Sequence, residues 1–447
     1  MGETVLRLGR RGIGLQNYIR LARSSAWMLS GAALDLDFAN ARGYNSADLT
    51  KLTPDSVLTY TAPSPKWVYN AAGVLVQSSG KLPYDYDPVT HEPLGILVEE
   101  QRTNLLTYSE HFDNAVWIKA NLLGVTANTG VSPDGNTNAE RLTPAVPAGI
   151  HTAYRNSVTV VSGTTYALSL YAKADGYAYI ALMYHNGAST AGNETIQLFN
   201  LAAGTVGASY NTAPTSATIE DVGGGWYRIT ITKSWATTSG NVTICPMNID
   251  ANPRASLFAG DATSGVLVWG AQLEAGAFAT SYIPTVASQV TRAADQVSIL
   301  TSAFAYNAAE GSVVTESDTN QMSGVSYSYI ASFGDGTSSE RIVSRSLNTD
   351  ANFAVVDGGG VQAAFNLTGS IAQNVPFKFA YAYKANDFST SLDGGGIGAD
   401  ASGTIPTVTT LKFGADSAAT GTLNGHIKRL TYFPTRKPNA ELQALAA

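Results

Sequence analysis

Hydrophobic and polar residues alternate along much of the chain, in short runs that end at Gly, Asn, Ser or Pro. The segment TTYALSLYAKA places Tyr166, Leu168 and Leu170 on one side of a strand, and GWYRITITKSW does the same with Ile229 and Ile231. A period of two residues is typical of β-strands with one buried face. These strands follow one another without helical periodicity between them, which indicates a jelly-roll-like β-sandwich.

We assign this first predicted sandwich to residues 105–299 and a second to residues 300–447. The second series includes NFAVVDGGG, TLKFGAD and PFKFAYAYK. In PFKFAYAYK every second residue is aromatic, as a strand with one buried face requires, namely Phe377, Phe379, Tyr381 and Tyr383. Two tandem sandwiches are therefore predicted, which makes the fold class all-β.

The segment that precedes the sandwiches has a different pattern. LQNYIRLARSSAWML, residues 15–29, has apolar residues at helical spacing and predicts a short amphipathic helix. Two interpretations stay open, a cap packed on its own domain or a docking element for a partner or neighbouring subunit. We predict a basic amphipathic anchor over residues 1–30, carried by Arg7, Arg10, Arg11, Leu15, Tyr18 and Ile19.

Residues 31–104 consist of short extended pieces broken by Pro, Gly and Asn, with little apolar core of their own. Short strands of this kind do not satisfy their edges alone. We therefore predict an attachment and oligomerisation region here, made of strands and arms that neighbouring subunits complete.

Composition and charge exclude several classes of protein. The net charge of −7 and pI near 5.3 argue against a nucleic-acid-binding surface over most of the chain. No apolar run approaches the roughly 18 residues of a membrane span, so no membrane insertion is expected. The single Cys245 excludes an intrachain disulfide framework and suits folding in a reducing cytoplasm.

Catalytic and cofactor motifs are missing from the sequence. The five histidines form no HExxH or paired metal spacing, and neither a GxSxG elbow nor a Walker loop occurs. GGGVQA and GGGIGA match a dinucleotide-binding glycine pattern, but neither opens a helix in a βαβ unit, and hairpin turns explain both. Asp335 in FGDGTSSE is interpreted as a solvated turn residue, with a calcium ligand as the alternative. We predict no enzymatic activity, no cofactor and no metal.

The stretch GILVEEQRTNLLTYSEHFDNAVWIK contains two adjacent carboxylates, Glu99 and Glu100, followed by Arg102. On a strand the two glutamates point to opposite faces and do not act on one substrate atom. Arginine's planar guanidinium can bridge carboxylates or carbonyls where two domains meet. The three residues are therefore predicted to form a domain junction.

Aromatic residues beside hydrogen-bonding side chains provide the candidate binding site. In YAYIALMYHNG and GGGWYRIT, Trp226 has the polar-facing parity of its strand, and Tyr184 and His185 stand near a strand end. Flat rings beside polar groups suit sugars, whose C–H faces stack and whose hydroxyls need partners. We predict a carbohydrate site at Tyr179, Tyr184, His185 and Trp226. The alternative is that these are core or inter-subunit aromatics.

Three blocks carry a resemblance to a known family. They are NAAGVLVQSSGKLPYDYDPVTHEPLG, LVEEQRTNLLTYSEHFDNAVWIK and VWGAQLEAGAFATSYIPTVASQVTRAADQVSI, and the match spans roughly residues 33–300. In this order they resemble head-spike, head-fibre and tail-fibre proteins of tailed phages and gene transfer agents. The first sandwich resembles carbohydrate-binding modules, and residues 300–447 resemble concanavalin-A-like lectins or laminin-G-like sandwiches.

The resemblance implies a virion surface protein, made in the cytoplasm of a bacterial host, that adheres to host cell-surface polysaccharide without cleaving it. It implies capsid or tail proteins as partners and a homo-oligomer, with a trimer preferred and a pentamer second. Two alternatives stay open: a structural base or capsid decoration that carries another fibre, and a capsule depolymerase. Depolymerases of this kind are usually long β-solenoids, and the sequence has no fixed-period repeat.

Overall fold

The computed structural model describes residues 29–46, 50–61, 64–78, 80–185, 194–320, 327–368, 371–416 and 421–447. Within these ranges the regular secondary structure is almost entirely β-strand, which confirms the predicted all-β fold class. Residues 1–28 of the predicted anchor at 1–30, with all six of its named residues, lie outside the described residues.

The strands fall into three groups along the chain. The first group is β1 (Leu34–Asp37), β2 (Arg42–Asn45), β3 (Thr50–Leu52), β4 (Thr59–Thr61), β5 (Lys66–Tyr69), β6 (Leu75–Ser78), β7 (Tyr84–Tyr86), β8 (Pro93–Val98) and β9 (Arg102–Asn104), with helix α1 (Pro54–Val57) between β3 and β4. The second is β10 (Ile118–Ala120), β11 (Leu122–Val131), β12 (Thr137–Pro144), β13 (Thr152–Thr159), β14 (Thr165–Asp175), β15 (Tyr179–His185), β16 (Glu194–Asn200), β17 (Thr205–Asn211), β18 (Ser216–Asp221), β19 (Trp226–Ser234), β20 (Ser239–Met247), β21 (Gly265–Ala275) and β22 (Val290–Arg292). The third is β23 (Gln296–Leu300), β24 (Glu310–Ser317), β25 (Ser328–Gly334), β26 (Arg341–Leu347), β27 (Asp350–Asp357), β28 (Gly360–Leu367), β29 (Phe377–Lys384), β30 (Phe388–Leu392), β31 (Gly398–Asp400), β32 (Thr410–Phe413) and β33 (Gly425–Phe433), followed by helix α2 (Asn439–Leu445); a 3-10 turn (Thr301–Ala303) follows β23.

The first sandwich consists of two six-stranded antiparallel sheets. Sheet I has the order β10-β13-β20-β15-β16-β17, and sheet II has the order β11-β12-β21-β14-β19-β18. The inward side chains of both sheets form one core, which includes Leu168, Leu170, Ile229 and Ile231 as the alternation predicts.

The second sandwich is larger. Sheet III is ten-stranded, with the order β3-β2-β1-β33-β24-β29-β30-β31 and with β8 and β7 added beside β33, and sheet IV is seven-stranded, with the order β28-β27-β26-β25-β32-β23-β4. The aromatic residues of PFKFAYAYK are all buried in the core between these sheets, which confirms that prediction.

The N-terminal strands belong to this second sandwich, so the prediction of a separate attachment region at 31–104 is wrong. β1 lies between β2 and β33 in sheet III, and β4 pairs with β23 at the edge of sheet IV. Leu34 and Leu36 enter the common core, while Asp35 on the opposite face binds Arg429 Nε at 2.9 Å. These strands lack a core of their own because they complete a core formed some 300 residues further along the sequence. β1 and β8 are paired on both sides within the chain, whereas β3 and β4 are edge strands of sheets III and IV.

The first sandwich is an insertion in the second. β9 and β22 flank it and pair antiparallel, with Arg102 opposite Arg292 and Asn104 opposite Val290. The chain thus leaves and re-enters at neighbouring points. The predicted boundary at 300 is also displaced, because β23 begins at Gln296 and already lies in sheet IV.

Candidate functional site

A polar groove of about 390 Å³ lies on the outer face of sheet I. Its floor comes from β13, β20 and the end of β15, and the loop between β20 and β21 adds Arg254. The lining residues are Ala120, Asn121, Ile150, Thr152, Tyr154, Asn156, His185, Asn241, Thr243 and Arg254. We call this the sheet I groove.

Strand alternation explains why these side chains converge. On β13, Tyr154 lies in the groove while its neighbour Ala153 is in the core, and on β20, Thr243 lies in the groove between the core residues Val242 and Ile244. Successive side chains of a strand point to opposite faces. Because alternate residues of β13 and β20 are buried in the core, the residues between them place hydroxyl, amide and phenol groups in a row on the outer face.

Arg254 is held at the groove by a buried carboxylate. Its Nε and one Nη lie 3.0 and 2.7 Å from the two Glu194 carboxylate oxygens, and Glu194 is only 2% exposed. His185 Nδ1 lies 2.9 Å from Glu194 Oε1, and its Nε2 lies 3.2 Å from Thr243 Oγ1. The pair with Glu194 neutralises the charge of Arg254 and fixes its position.

His185 is uncharged in this network. Burial lowers the pKa of His185, the Arg254 guanidinium lowers it further, and together they outweigh the opposing effect of Glu194. A neutral imidazole that donates from Nδ1 to Glu194 leaves Nε2 as the acceptor for the Thr243 hydroxyl. The groove therefore presents amides, hydroxyls, one phenol ring and a neutralised guanidinium.

Of the four predicted carbohydrate-site residues, His185 is the one that lines this groove. Tyr179 has the same parity on β15 but lies six residues away, about 20 Å along an extended strand. Tyr184 has the opposite parity and is in the sandwich core, where its hydroxyl donates to the carbonyls of Tyr166 and Ile231. The assignment of Tyr184 to the binding site is therefore wrong, since adjacent residues of a strand cannot share a face.

Trp226 lies on sheet II, on the other side of the sandwich from the groove. Its parity is as predicted, away from the Ile229 and Ile231 core, but it is only 4% exposed. It packs in a second apolar cluster with Tyr171 and Trp269, under the β5–β6 hairpin residue Leu75. It borders a surface hollow beside Gly223 and Gly224, and its Nε1 donates to the Val131 carbonyl at 2.9 Å. The predicted exposure is wrong because a hairpin from a distant part of the chain covers this face.

Glu99 lies at the contact between the two sandwiches. Its carboxylate accepts hydrogen bonds from Ser281 N at 2.8 Å and Ser281 Oγ at 2.7 Å, and it pairs with Arg292 and, at 3.1 Å, with Lys66 Nζ. Burial opposes ionisation, but the charges of Arg292 and Lys66 outweigh it and hold the pKa of Glu99 well below its usual range. Glu99 is an ionised structural group that contacts both parts of the chain.

Glu100 and Arg102 lie at the same contact. Arg102 pairs with Glu100 and its guanidinium lies 5.0 Å from the centre of the Phe278 ring. The Glu100 amide donates to Asn424 Oδ1 at 2.9 Å, which connects the segment to a loop of the second sandwich. These contacts are those of a junction, and Gly276 makes room for them, since a Cβ there would overlap Arg102.

Among the described residues no group of three or more His, Cys, Asp and Glu side chains is arranged to hold a metal ion. Asp335 lies in a turn, where its Oδ1 accepts hydrogen bonds from Thr337 N and Oγ1 at 2.8 and 2.7 Å. Within the ranges that the structure covers, no helix has the length and apolar character to cross a membrane.

His185 was identified from the sequence and the other nine lining residues of the groove were missed, of which Tyr154 and Arg254 matter most to the candidate site. Tyr154 had a usable signal, because HTAYRNS alternates Thr152, Tyr154 and Asn156 around Ala153 in the same way as the predicted strands. Arg254 had none, since it reaches the groove from a loop and its partner Glu194 is 60 residues away.

Comparisons with known proteins give distant fold similarities. No family model matches the chain, and no curated protein sequence does. The similar solved structures include the CBM40 module of a Ruminococcus gnavus IT-sialidase bound to α2,3-sialyllactose, with a TM-score of 0.28, 14% identity, and coverage of 32% of this chain and 84% of that one.

Two further solved structures cover more of the chain. Mouse laminin α1 domains LG4-5 give a TM-score of 0.21 and 8% identity over 64% of this chain and 85% of theirs. The CBM22-1–CBM22-2 tandem of Paenibacillus barcinonensis Xyn10C gives 0.23 and 10% over 76% and 98%. TM-scores this low do not identify a function, which has to be inferred from the side chains.

Proposed function

We propose that this chain is a non-enzymatic glycan-binding protein whose inserted sandwich binds polysaccharide in the sheet I groove. The observation that carries the proposal is the groove itself, in which the Tyr154 ring lies among the amides of Asn121, Asn156 and Asn241 and the hydroxyls of Thr152 and Thr243. A ring that stacks on sugar C–H groups, with polar partners for hydroxyls around it, is the chemistry that carbohydrate recognition requires.

The charge of the groove supports binding rather than catalysis. Its charged lining group, Arg254, is paired with Glu194, and the His185 imidazole is neutral. Glycoside hydrolysis by the usual mechanism needs two carboxyl groups about 5–10 Å apart across the scissile bond. No carboxylate is among the described residues that line the groove.

The biological setting that we propose is host attachment from a virion surface, as a spike or fibre protein on a capsid or tail. This part of the proposal is supported by the resemblance of residues 33–300 to phage and gene-transfer-agent spike and fibre sequences. The accompanying expectation of a homo-oligomer, with a trimer preferred, stays a prediction, and light scattering at micromolar concentration measures it directly.

The glycan proposal is tested on the full chain with a glycan array, followed by calorimetric titration of the glycan that binds best. Tyr154→Ala should lower the affinity about tenfold or more, because losing a stacked ring costs roughly 1–3 kcal/mol and 1.4 kcal/mol is one decade. Tyr154→Phe should retain most of the affinity. Tyr179→Ala, on the same face of sheet I but outside the groove, is the matched control and should leave the affinity unchanged.

Two results would overturn the proposal. New reducing ends after incubation with a bound polysaccharide would replace adhesion by depolymerisation. Silence on the array, combined with tight binding to a second virion protein, would favour a structural base that carries another fibre.

A further inference from the structure

A second cavity, of about 310 Å³, lies where the two sandwiches meet, apart from the sheet I groove. Its walls come from the inserted sandwich, from the segment 64–99 and from loops of the second sandwich. It therefore exists only when the whole chain is folded. Ligand sites occur preferentially at domain interfaces, and this volume is at the small end of the usual range of about 300–1,000 Å³. We call it the seam cleft.

Part of its lining is aromatic. Trp67 and Tyr86 come from the segment 64–99, and Phe278 comes from the chain that follows β21. Aromatic faces attract cations within about 6 Å of the ring centre and pack against the apolar faces of ligands.

The charged lining of the cleft is unbalanced. Five carboxylates line it, Asp85, Asp87, Glu99, Glu220 and Asp318, together with two cationic side chains, Arg228 and His426. Glu99 forms ion pairs with Arg292 and with Lys66, and Lys66 also pairs with Asp295. Apart from Glu99, the described lining of the cleft contains four carboxylates and two cationic side chains.

His426 is the proton-bearing partner of two of these carboxylates. Its Nδ1 lies 3.1 Å from Asp318 Oδ2 and its Nε2 lies 3.0 Å from Asp85 Oδ2. Burial opposes its charge, but Asp318 and Asp85 outweigh that effect and raise the pKa of His426 to about 10. Asp85 and Asp318 are thus both engaged with one imidazolium.

Glu220 and Asp87 are the other two carboxylates of the cleft. Glu220 faces Arg228 across the β18–β19 ladder, and Arg228 also donates to the Thr280 carbonyl at 2.6 Å and to Ser169 Oγ at 3.2 Å. Glu220 lines the cleft and is exposed to solvent there. Asp87 Oδ1 accepts hydrogen bonds from Val89 N and Thr90 N, so it is held in place at the rim.

We propose that the seam cleft is a second ligand site, which binds a small molecule carrying a primary ammonium group on a polyhydroxylated ring, that is, an amino sugar. The ammonium is placed by Asp87 and Glu220, the apolar ring face packs against Trp67 or Phe278, and the hydroxyls meet Asn320 and Asn374. The site does not depend on the sheet I groove, since none of the groove residues lines the cleft.

The experiment titrates the full chain with glucosamine by ligand-observed NMR, at a pH where the amine is protonated. Glucose, N-acetylglucosamine and 1,4-diaminobutane serve as comparison ligands. We expect glucosamine to bind at least tenfold more tightly than either neutral sugar and more tightly than the diamine. Its affinity should fall as salt is added, because the attraction is electrostatic.

The variant is Asp87→Asn with Glu220→Gln, which keeps the shape of both side chains and the Oδ1 acceptor of residue 87. It should lower glucosamine affinity at least tenfold with the melting temperature and the sheet I groove affinity unchanged. Glu316→Gln with Glu441→Gln makes the same change in net charge at residues that do not line the cleft, and it should have no effect. Equal binding of glucose and glucosamine, preference for the diamine, or an unchanged affinity in the double variant would each overturn the proposal. If the chain fails to bind polysaccharide in the sheet I groove, that result contradicts the first proposal only. The results expected for glucosamine do not change.

Discussion

Lys66 Nζ lies 2.5 Å from Asp295 Oδ2 in a fully buried ion pair, although 229 residues separate the two in sequence. Both side chains are 1% exposed. Lys66 also donates to the Leu97 carbonyl at 2.7 Å, and Asp295 accepts from the Glu99 amide at 2.8 Å and the Tyr60 hydroxyl at 2.8 Å. The pair fastens the N-terminal strands to the point where the chain re-enters the second sandwich.

Removing one partner of this pair should be costly. We expect Asp295→Ala to lower the free energy of unfolding by about 3–5 kcal/mol, because Lys66 is then a buried charge with a weakened set of partners. Asp295→Asn should cost less, since its one amide oxygen can still accept from the Tyr60 hydroxyl, which Asp295 Oδ1 accepts in the native chain. Glu441→Ala removes the exposed pair with Lys437 and should cost no more than about 1 kcal/mol. Urea unfolding measures all three, and equal losses for Asp295→Ala and Glu441→Ala would contradict the assignment.

Truncating Trp226 should affect stability and leave glycan binding unchanged. Trp226→Ala creates a cavity beside Tyr171 and Trp269 and is expected to cost about 3–5 kcal/mol. Tyr154→Ala, at the groove, should have the converse effect. Thermal melting and calorimetric titration of the two variants test this, and a loss of glycan affinity in folded Trp226→Ala protein would restore Trp226 to the binding site.

His426 should make stability depend on alkaline pH. Its pKa is raised by Asp318 and Asp85 to about 10, so the folded state holds this proton more tightly than the unfolded chain does. The resulting stabilisation is complete below the unfolded pKa of about 6.5 and is lost as the pH rises through about 10. Each unit by which folding raises the pKa of His426 contributes about 1.4 kcal/mol, so the stabilisation is on the order of a few kcal/mol.

The measurement is the free energy of unfolding of wild type and His426→Gln between pH 7 and pH 10. The difference between the two proteins should shrink as the pH rises, because the wild type loses its imidazolium and the variant has none to lose. A constant difference across this range would show that the three groups do not share the proton as the geometry indicates.

The inserted sandwich should fold by itself. Its ends are on paired strands, with Arg102 opposite Arg292, so the two ends of a fragment covering 102–292 lie about 5 Å apart. We expect a cooperative urea transition and retained glycan binding for this fragment. Its stability should be lower than in the full chain and it should bind a hydrophobic dye, because Trp67, Tyr69 and Leu75 no longer cover the outer face of sheet II. A fragment without a cooperative transition would argue against an autonomous module.

Local alternation was a reliable guide to individual strands. The aromatic residues of PFKFAYAYK and the Ile229 and Ile231 face are buried as predicted, because side-chain period depends only on the extended backbone. Trp226 shows where this kind of inference stops. Its face was predicted correctly, yet its burial depends on the β5–β6 hairpin, whose approach no local pattern records.

The sequence by itself therefore determined the all-β class and the buried face of strands with clear alternation, such as PFKFAYAYK and the strand of Ile229 and Ile231, since these follow from residue type and from neighbours one or two positions away. Only the tertiary structure decided that β1, β4 and β8 complete a sandwich formed mostly after residue 296, and that Tyr154, His185 and Arg254 meet in one groove. Pairings such as β1 with β33, or Lys66 with Asp295, form because buried edges and charges need partners. The local sequence shows which strand edges and charges require a partner, but the packing of the whole chain determines which strand or residue that partner is.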